Sequence, residues 1–347
     1  MSLPSFPAFM QRHWVQSSYF PLSQLPSVLL FIVLFSGFSL VPLSQNGPPQ
    51  EEEVLRVRTD LITVPVQVLD AKSKSKPGFS EKDFSLLVDG APVKIDYFSN
   101  GVERLALMFL LDQSGSVRDI VSSQQTAAID IFRHFAANAE VAVVRFDERA
   151  FLAAPFSQDG TKAEAAFAFS AAPNHHTAIF DSVEASLGFL DQRKRDPVER
   201  KILVVISDGL DTGSRTSWTN VVRHAQETGA TIYAIQIGLF TPVDGVLKMR
   251  RATRGFKEMA ERTGGSLLTI GDRTSALAPS ANLNLAGLFA EIERDLRNQV
   301  VMGFYPTDAF RDGAKHTITV KLTGDSSKKL HIKAGRQEFV LRSNPAG

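Results

Sequence analysis

Two carboxylates and three hydroxyls in this 347-residue chain have the types and spacing of ligands for a hard cation. Asp112, Ser114 and Ser116 form a D-x-S-x-S run, Asp208 stands in a Ser-Asp-Gly triplet, and Thr177 precedes a predicted helix. Oxygen ligands without thiolates suit Mg²⁺, which retains some of its waters, or Mn²⁺. Two carboxylates leave a divalent cation nearly neutralised, so an acidic group from a partner could fill an open coordination position.

The predicted strands would bring these residues to one edge of a sheet. Seven apolar residues, 105–111, end at Asp112, and the largely apolar run 201–206 ends just before Asp208. Runs of this kind are typical of strands buried in the middle of a parallel sheet. In open α/β sheets, ligands bind beyond the carboxyl ends of the strands, where the strand order reverses. We therefore expect Asp112 and Asp208 to face the same crevice.

Strands and helices alternate through the middle of the chain. Strands are predicted at 105–111, 140–146, 151–156, 201–206, 230–237 and 266–270, and helices at 117–140, 161–172, 178–192, 218–228, 256–262 and 285–298. Such alternation predicts an α/β fold, with a doubly wound, mostly parallel sheet covered by helices on both faces.

Only strands are predicted on either side of this region. They cover 55–69, 84–94 with a hairpin turn at Asp89-Gly90, 300–305, 316–322 and 329–333. Neither flank is large enough to bury a core alone, so we expect the two to combine in one accessory antiparallel β module. The expected organisation is a signal peptide or anchor at 1–43, a linker at 44–53, an N-terminal β unit at 54–100, an α/β domain at 103–298 and C-terminal strands at 299–343.

The N-terminal segment predicts export. Its first 50 residues carry one charged side chain, Arg12, ahead of the apolar run 28–35. A run of eight residues is shorter than the roughly 20 that a spanning helix needs, and it favours a cleaved secretory signal over an uncleaved anchor. In both cases the positive charge before the run directs the rest of the chain out of the cytoplasm. The expected location is periplasmic or secreted, with an anchor as the alternative to release.

Composition and missing motifs exclude several function classes. A net charge of +1 gives no overall attraction to nucleic acid, and the absence of cysteine removes disulfides and thiolate chemistry. No phosphate-binding glycine loop follows the first α/β strand, and no G-x-S-x-G elbow surrounds Ser114. These patterns favour a binding module over an enzyme. A metal-dependent hydrolase of phosphate or ester substrates and a structural scaffold that holds no ion remain as alternatives.

Residues 103–298 resemble the von Willebrand factor A-type domain through three motifs. These are LLDQSGS at 110–116, TAIFD at 177–181 and ISDGLD at 206–211. Weaker similarity in the flanks, EKDF at 81–84 with Asp89-Gly90 and GFYP at 303–306, resembles bacterial A-related proteins with an export signal. The resemblance implies a sheet order of 3-2-1-4-5-6 with one short antiparallel strand.

The same resemblance implies a metal-ion-dependent adhesion site. Ser114, Ser116 and Thr177 would bind the cation through hydroxyls, and Asp112 and Asp208 directly or through water. The implied function is divalent-cation-dependent binding of a protein or peptide that offers a carboxylate, with membrane contact only through an N-terminal anchor.

Residues around these motifs have less specific patterns. Gly115, Asp181, Gly209 and Asp211 are candidates to support the loops of the site, although the two aspartates are equally suited to capping. Taken singly, Asp112, Ser114 or Ser116 could cap a helix and Asp208-Gly209 could form a turn; their joint occurrence at element ends favours the metal site.

Two further groups lie beside the predicted site. The stretch 248–257 is predicted to be a basic loop on the metal face, and its residues Lys248, Arg250, Arg251 and Arg254 are either solvated or steer acidic partners. His175 and His176 stand where the family has small residues, and an all-oxygen site does not need them as ligands.

Overall fold

The computed structural model describes residues 61–101, 104–135, 139–172, 176–193, 196, 199–271, 286–324 and 329–341. The expected signal or anchor at 1–43, the linker at 44–53 and His175 lie outside these residues. In the described part, no helix is both long enough and apolar enough to cross a membrane.

The described strands and helices are numbered in chain order. The strands are β1 Ile62–Leu69, β2 Phe84–Val88, β3 Ala91–Val93, β4 Tyr97–Asn100, β5 Arg104–Asp112, β6 Ala139–Phe146, β7 Ala150–Ser157, β8 Glu199–Ser207, β9 Ala230–Ile237, β10 Phe240–Val243, β11 Val246–Met249, β12 Leu267–Ile270, β13 Val300–Phe304, β14 Lys315–Leu322, β15 His331–Ala334 and β16 Glu338–Val340. The α-helices are α1 Val121–Phe135, α2 Gly160–Phe167, α3 Ile179–Asp191, α4 Trp218–Thr228, α5 Phe256–Glu261 and α6 Ala286–Asn298, and short 3-10 helices lie at Glu81–Asp83, Gly115–Ile120 and Asp308–Phe310.

A six-stranded sheet of order β12-β9-β8-β5-β6-β7 forms the centre of the fold. All neighbouring strands are parallel except β6 and β7, which run antiparallel. Numbered within this sheet alone, the order is 3-2-1-4-5-6, so the predicted α/β class is confirmed. The order reverses between β5 and β8, which are direct neighbours paired up to Leu111 and Ile206. The residues that follow these two strands therefore meet at one edge.

Strand β5 is buried because its two faces meet two different cores. Leu105, Leu107, Phe109 and Leu111 belong to a cluster that includes α1 and α6. The alternate residues Ala106, Met108 and Leu110 belong to a second cluster that includes α3 and α4. A side-chain period of two thus explains why an unbroken apolar run is needed here.

Two predicted helices differ from the structure. The predicted helix 117–140 begins as the 3-10 turn Gly115–Ile120, continues as α1 to Phe135, and gives way to β6 at Ala139. The predicted helix 161–172 ends at Phe167. Beyond it, the Ala172 N–H donates to the Gln113 carbonyl over 2.6 Å, so this segment is bonded to the loop after β5 and does not continue the helix.

An accessory β module is built from both flanks, as the predicted fold class requires. One sheet has the order β15-β1-β13-β4 and the other the order β16-β14-β2-β3, and their inner faces share one apolar core. The module contacts the α/β domain through polar bonds: buried Arg200 of β8 donates to the Gln299 side chain over 2.7 Å and to the Gly101 carbonyl over 2.6 Å. Burial lowers the pKa of Arg200 to about 10.

A histidine of the β module is held between two carboxylates. His316 Nδ1 lies 2.7 Å from Asp89 Oδ2, and Nε2 lies 3.1 Å from Asp312 Oδ1. Its ring packs against the rings of Phe310 and Phe339, with centroids 5.0 and 5.2 Å away. Only the imidazolium can donate from both nitrogens. The hydrogen bond to Asp89, opposed by partial desolvation, raises the pKa of His316 above its ordinary 6.5.

This arrangement predicts a pH-dependent stability. Because the folded-state pKa of His316 is raised, its contribution is complete below about pH 6.5 and is lost as the pH rises through the raised pKa. We expect the wild type to unfold at a higher temperature than His316→Gln at pH 6, and this difference to shrink towards pH 9. Exposed His331, in the same module, provides the control His331→Gln. An offset between wild type and His316→Gln that is constant with pH would contradict the assignment.

Candidate metal site

Three hydroxyls from two loops converge at the carboxyl edge of the central sheet. Ser114 Oγ lies 2.8 Å from Thr177 Oγ1 and 3.1 Å from Ser116 Oγ. Ser114 and Thr177 are buried, whereas Ser116 is exposed, so the cluster reaches solvent on the Ser116 side. The Ser114 N–H donates to Asp112 Oδ1 over 2.9 Å, which fixes the first turn of the D-x-S-x-S loop.

The two predicted carboxylates lie on either side of one serine. The Ser207 hydroxyl is 2.6 Å from Asp112 Oδ2 and 3.4 Å from Asp208 Oδ1, and it accepts from the Gly209 N–H over 3.0 Å. Both aspartates are almost completely buried. We call the set Asp112, Ser114, Ser116, Thr177 and Asp208 the hydroxyl–carboxylate site.

Burial makes the charged form of both carboxylates unfavourable. Burial raises the pKa of Asp112 to about 6, and the negative charge of Asp208 adds to this increase. Hydrogen bonds from Ser207 and Ser114 act in the opposite direction and lower the pKa. Burial likewise raises the pKa of Asp208, against a hydrogen bond from the Leu210 N–H. A cation at this edge would favour the charged form of both groups.

The donor set fits a hard divalent cation. Asp208 Oδ2 is buried with no partner at hydrogen-bonding distance and angle, although the Ser116 hydroxyl is close enough to lower the pKa of that carboxyl. Buried polar atoms are normally satisfied, so such an oxygen is suited to a ligand or ion. The described residues contain no group of three or more His, Asp or Glu that could hold a metal. A cation here would therefore depend on the hydroxyls as well as the two carboxylates.

The loop that carries Thr177 is bonded to the loop that follows Asp208. The Thr177 N–H donates to Thr212 Oγ1 over 3.0 Å, and the Thr177 carbonyl accepts from the N–H groups of Thr212 and Gly213. Asp211 Oδ1 accepts from the Ile179 N–H over 2.7 Å at the start of α3. These bonds hold Thr177 in place relative to Asp208.

Asp181 makes a second link between the same loops. It accepts from the N–H groups of Arg215 and Thr216, the latter over 2.7 Å. Partial burial alone would raise the pKa of Asp181, but these hydrogen bonds outweigh it and the pKa is lowered. Asp181 and Asp211 therefore support the loops from outside the hydroxyl–carboxylate site.

Glycine is required directly after Asp208. Gly209 has φ +82°, and a Cβ at this position would lie 2.8 Å from the Cβ of Ala252. The Gly209 carbonyl accepts from the Thr253 N–H over 2.8 Å. The chain therefore passes close to residues 252–253 just after the second carboxylate. Gly115, the other candidate glycine, is the first residue of the 3-10 turn after Ser114.

The basic loop predicted at 248–257 is shorter in the structure. Lys248 and Met249 lie in strand β11, which was not predicted, and α5 begins at Phe256, where a helix was predicted. The sequence signal for the hairpin β10–β11 was Asp244-Gly245, whose φ angles of +53° and +75° suit a tight hairpin turn. Among the predicted partner-steering residues, Arg250 is near enough to lower the pKa of Asp208, whereas Lys248 pairs with Asp244 at 3.7 Å. Arg251 and Arg254 are both exposed.

Of the histidine pair, only His176 is described. Its side chain is exposed, and its backbone N–H donates to Glu148 Oε1 over 3.3 Å.

Several buried polar residues that support this edge were not predicted as functional. Ser207 orients Asp112, Gln124 Nε2 donates to the Asp112 carbonyl over 2.9 Å, and Gln236 Nε2 donates to the Asp208 carbonyl over 3.1 Å. Half-buried Thr253 also supports this edge, because its Oγ1 accepts from the Asp211 N–H over 2.9 Å. The available signal was a polar residue in a mostly apolar element, as with Gln236 in ATIYAIQI.

Replacement of Ser207 by alanine tests whether its hydroxyl positions Asp112. The variant would lose the 2.6 Å bond to Asp112 Oδ2, so we expect Mg²⁺ affinity to fall about 10-fold, the low end of the range for groups that orient metal ligands. Isothermal titration against Ser182→Ala, which removes a buried hydroxyl from α3, provides the comparison. Equal affinities in the two variants would contradict this role.

Residues 106–263 match the family model of the von Willebrand factor type A domain. The chain therefore contains a domain of this class, and such domains are typically protein-interaction modules that often bind a divalent metal.

Solved structures with a similar fold include the conserved hypothetical protein BatB from Bacteroides thetaiotaomicron, at 17% identity and a TM-score of 0.43, covering 55% of this chain and 98% of that one. Another is proximal thread matrix protein 1 from the mussel byssus, with a zinc-occupied MIDAS motif, at 17% identity and a TM-score of 0.44, covering 59% and 48%. Comparison with curated protein sequences gives no significant match.

Proposed function

We propose that this chain is a divalent-cation-dependent protein-interaction module whose hydroxyl–carboxylate site holds Mg²⁺ or Mn²⁺. The observation that carries the proposal is the convergence of three hydroxyls and two buried carboxylates where β5 and β8 adjoin. When bound, the cation supplies a coordination position that a carboxylate of a protein or peptide partner can fill.

The residues at this edge would have different roles in binding the cation and in presenting it to a partner. Asp112 and Asp208 would supply negative charge from buried positions, and Ser114 and Thr177 would supply neutral oxygens held by their mutual 2.8 Å bond. Exposed Ser116 marks the side from which a partner could approach. The positive charge of Arg250 would attract an acidic partner to this edge.

Binding is favoured over hydrolysis because no G-x-S-x-G elbow surrounds Ser114. The Ser114 hydroxyl lies 2.8 Å from Thr177 Oγ1 and 3.1 Å from Ser116 Oγ, and it is also close enough to Asp112 to lower the pKa of that carboxyl. These contacts suit a cluster of oxygen ligands for a cation. We propose further that the module acts outside the cytoplasm, periplasmic or secreted, because an apolar run preceded by Arg12 opens the chain.

Capture of partners in Mg²⁺ and in chelator tests this function. The full-length chain, immobilised, is exposed to an extracellular extract, and we expect specific proteins to be retained only in Mg²⁺. These proteins should be lost with Asp112→Asn but retained with Asp295→Asn, which changes a buried aspartate of α6 bonded to Ser75 and Ser266. Retention that does not change with chelator or with Asp112→Asn would contradict the proposal. Hydrolysis of a generic phosphate or ester substrate that is abolished by chelator would favour the enzyme.

A further inference from the structure

The hairpin β10–β11 extends from the carboxyl end of β9, at the same edge as the hydroxyl–carboxylate site. Its two strands pair from Phe240–Met249 to Val243–Val246, closed by the Asp244-Gly245 turn. In the described part of the chain, no other strand pairs with it. A hairpin of two strands is only marginally stable by itself, so its apolar side chains need other contacts.

Gln236 of β9 links the base of the hairpin to the loop of the second carboxylate. Gln236 Nε2 donates to the Asp208 carbonyl over 3.1 Å and to the Arg250 carbonyl over 3.3 Å. Three residues further on, the Thr253 N–H donates to the Gly209 carbonyl over 2.8 Å. The hairpin is therefore anchored beside Asp208, and a partner at the cation would lie close to it.

Exposed apolar side chains are concentrated on this hairpin. The described residues include six large hydrophobic side chains that are markedly exposed, and three of them are Val243 at 40%, Val246 at 46% and Met249 at 39%. The cross-strand pair Val243–Val246 places two of these side chains on one face. Clustered exposed apolar groups rimmed by polar residues mark interaction surfaces.

Charge beside the hairpin is mainly positive. Arg250 and Arg251 follow β11 and are exposed, whereas Lys248 is partly neutralised by Asp244 at 3.7 Å. A binding partner that is complementary to this edge would combine negative charge with apolar side chains. A lipid surface is less favoured, because the exposed residues are two valines and a methionine and include none of the aromatic anchors typical of membrane interfaces.

We propose that the hairpin β10–β11 is a second contact surface, which selects protein partners whose metal-binding acidic residue is flanked by apolar residues. This inference rests on the proposed cation-dependent function, and it adds the partner class. Arg250 and the cation would contact the acidic group, and Val243 and Val246 would cover the apolar flank.

Selection from a random peptide library displayed on phage tests the inference. Four full-length proteins are immobilised, each in Mg²⁺ and in chelator: the wild type, the double variant Val243→Ser/Val246→Ser, Asp112→Asn, and the control Val340→Ser, which removes an exposed valine from β16. We expect the wild type and the control to enrich peptides with an acidic residue and apolar residues at a constant offset. The double variant should retain the acidic enrichment and lose the apolar one, and its Mg²⁺ affinity should be unchanged.

The outcomes separate the two proposals. Acidic enrichment by the wild type without an apolar preference, or an apolar preference that persists in the double variant, would overturn the role of the hairpin and leave cation-dependent binding intact. Enrichment that does not depend on Mg²⁺ or Asp112, or no enrichment at all, would overturn both. Binding of the wild type to anionic lipid vesicles that is lost in the double variant would assign the hairpin to a membrane and overturn a protein partner.

Discussion

Replacement of Asp112 by asparagine is expected to weaken Mg²⁺ binding by about 100-fold or more, a loss of about 2.7 kcal/mol. The side chain keeps its size but loses the charge that would face the cation. In the absence of metal we expect the variant to be as stable as the wild type or more so, because burial raises the pKa of Asp112 to about 6 and makes its charge unfavourable.

Thermal unfolding with and without Mg²⁺ measures both effects. A cation that binds only the folded state stabilises it by about 2.7 kcal/mol at 100 times its dissociation constant, so the wild type should unfold at a higher temperature in Mg²⁺. Asp112→Asn should not respond. The matched control is Asp295→Asn, because burial also raises the pKa of Asp295 while its bonds go to Ser75 and Ser266. A Mg²⁺-induced shift that persists in Asp112→Asn would exclude this residue as a ligand.

Gly209→Ala is expected to destabilise the fold by about 1–3 kcal/mol, because alanine is strained at positive φ. Here φ is +82°, and the new methyl group would also meet Ala252 at 2.8 Å. The strain falls next to Asp208, so we expect weaker Mg²⁺ binding in the same variant.

Denaturant unfolding and Mg²⁺ titration together test this prediction. Gly188→Ala provides the control, since a Cβ there meets nothing within 4 Å and Gly188 lies inside α3. In a helix interior the change from glycine to alanine should stabilise by about 0.5–1 kcal/mol. If Gly209→Ala matched the wild type in stability and affinity, the close approach of the two segments would not constrain the site.

The α/β class and the sheet order could be predicted because apolar periodicity reports burial directly. Leu105–Leu111 is apolar at every position since each face of β5 meets its own core, and this alone indicates a central strand. The accessory β module could be predicted for the same reason. A sheet with one apolar face must bury that face against another element, and the strands of the other flank provide it. The hydroxyls and carboxylates were located by their positions at strand and helix ends.

Tertiary bonds between distant segments account for what the sequence did not predict. After α2 ends, Ala172 is bonded to Gln113 in the loop after β5, and Asp112 is bonded to Ser207, 95 positions away. Neither hydrogen bond can be predicted from local secondary-structure propensity. The hairpin β10–β11 is different, because Asp244-Gly245 is a recognisable turn signal within a stretch interpreted only through its basic residues.

Anomalous diffraction from crystals grown with Mn²⁺ tests the central claim most directly. We expect one strong anomalous peak at the edge where β5 and β8 adjoin, within coordination distance of oxygens of the hydroxyl–carboxylate site, with one carboxylate allowed to bind through water. The peak should disappear in Asp112→Asn. A diffraction map with no peak there at saturating Mn²⁺, or a peak unchanged by the substitution, would contradict the assignment of Asp112, Ser114, Ser116, Thr177 and Asp208 as a cation site.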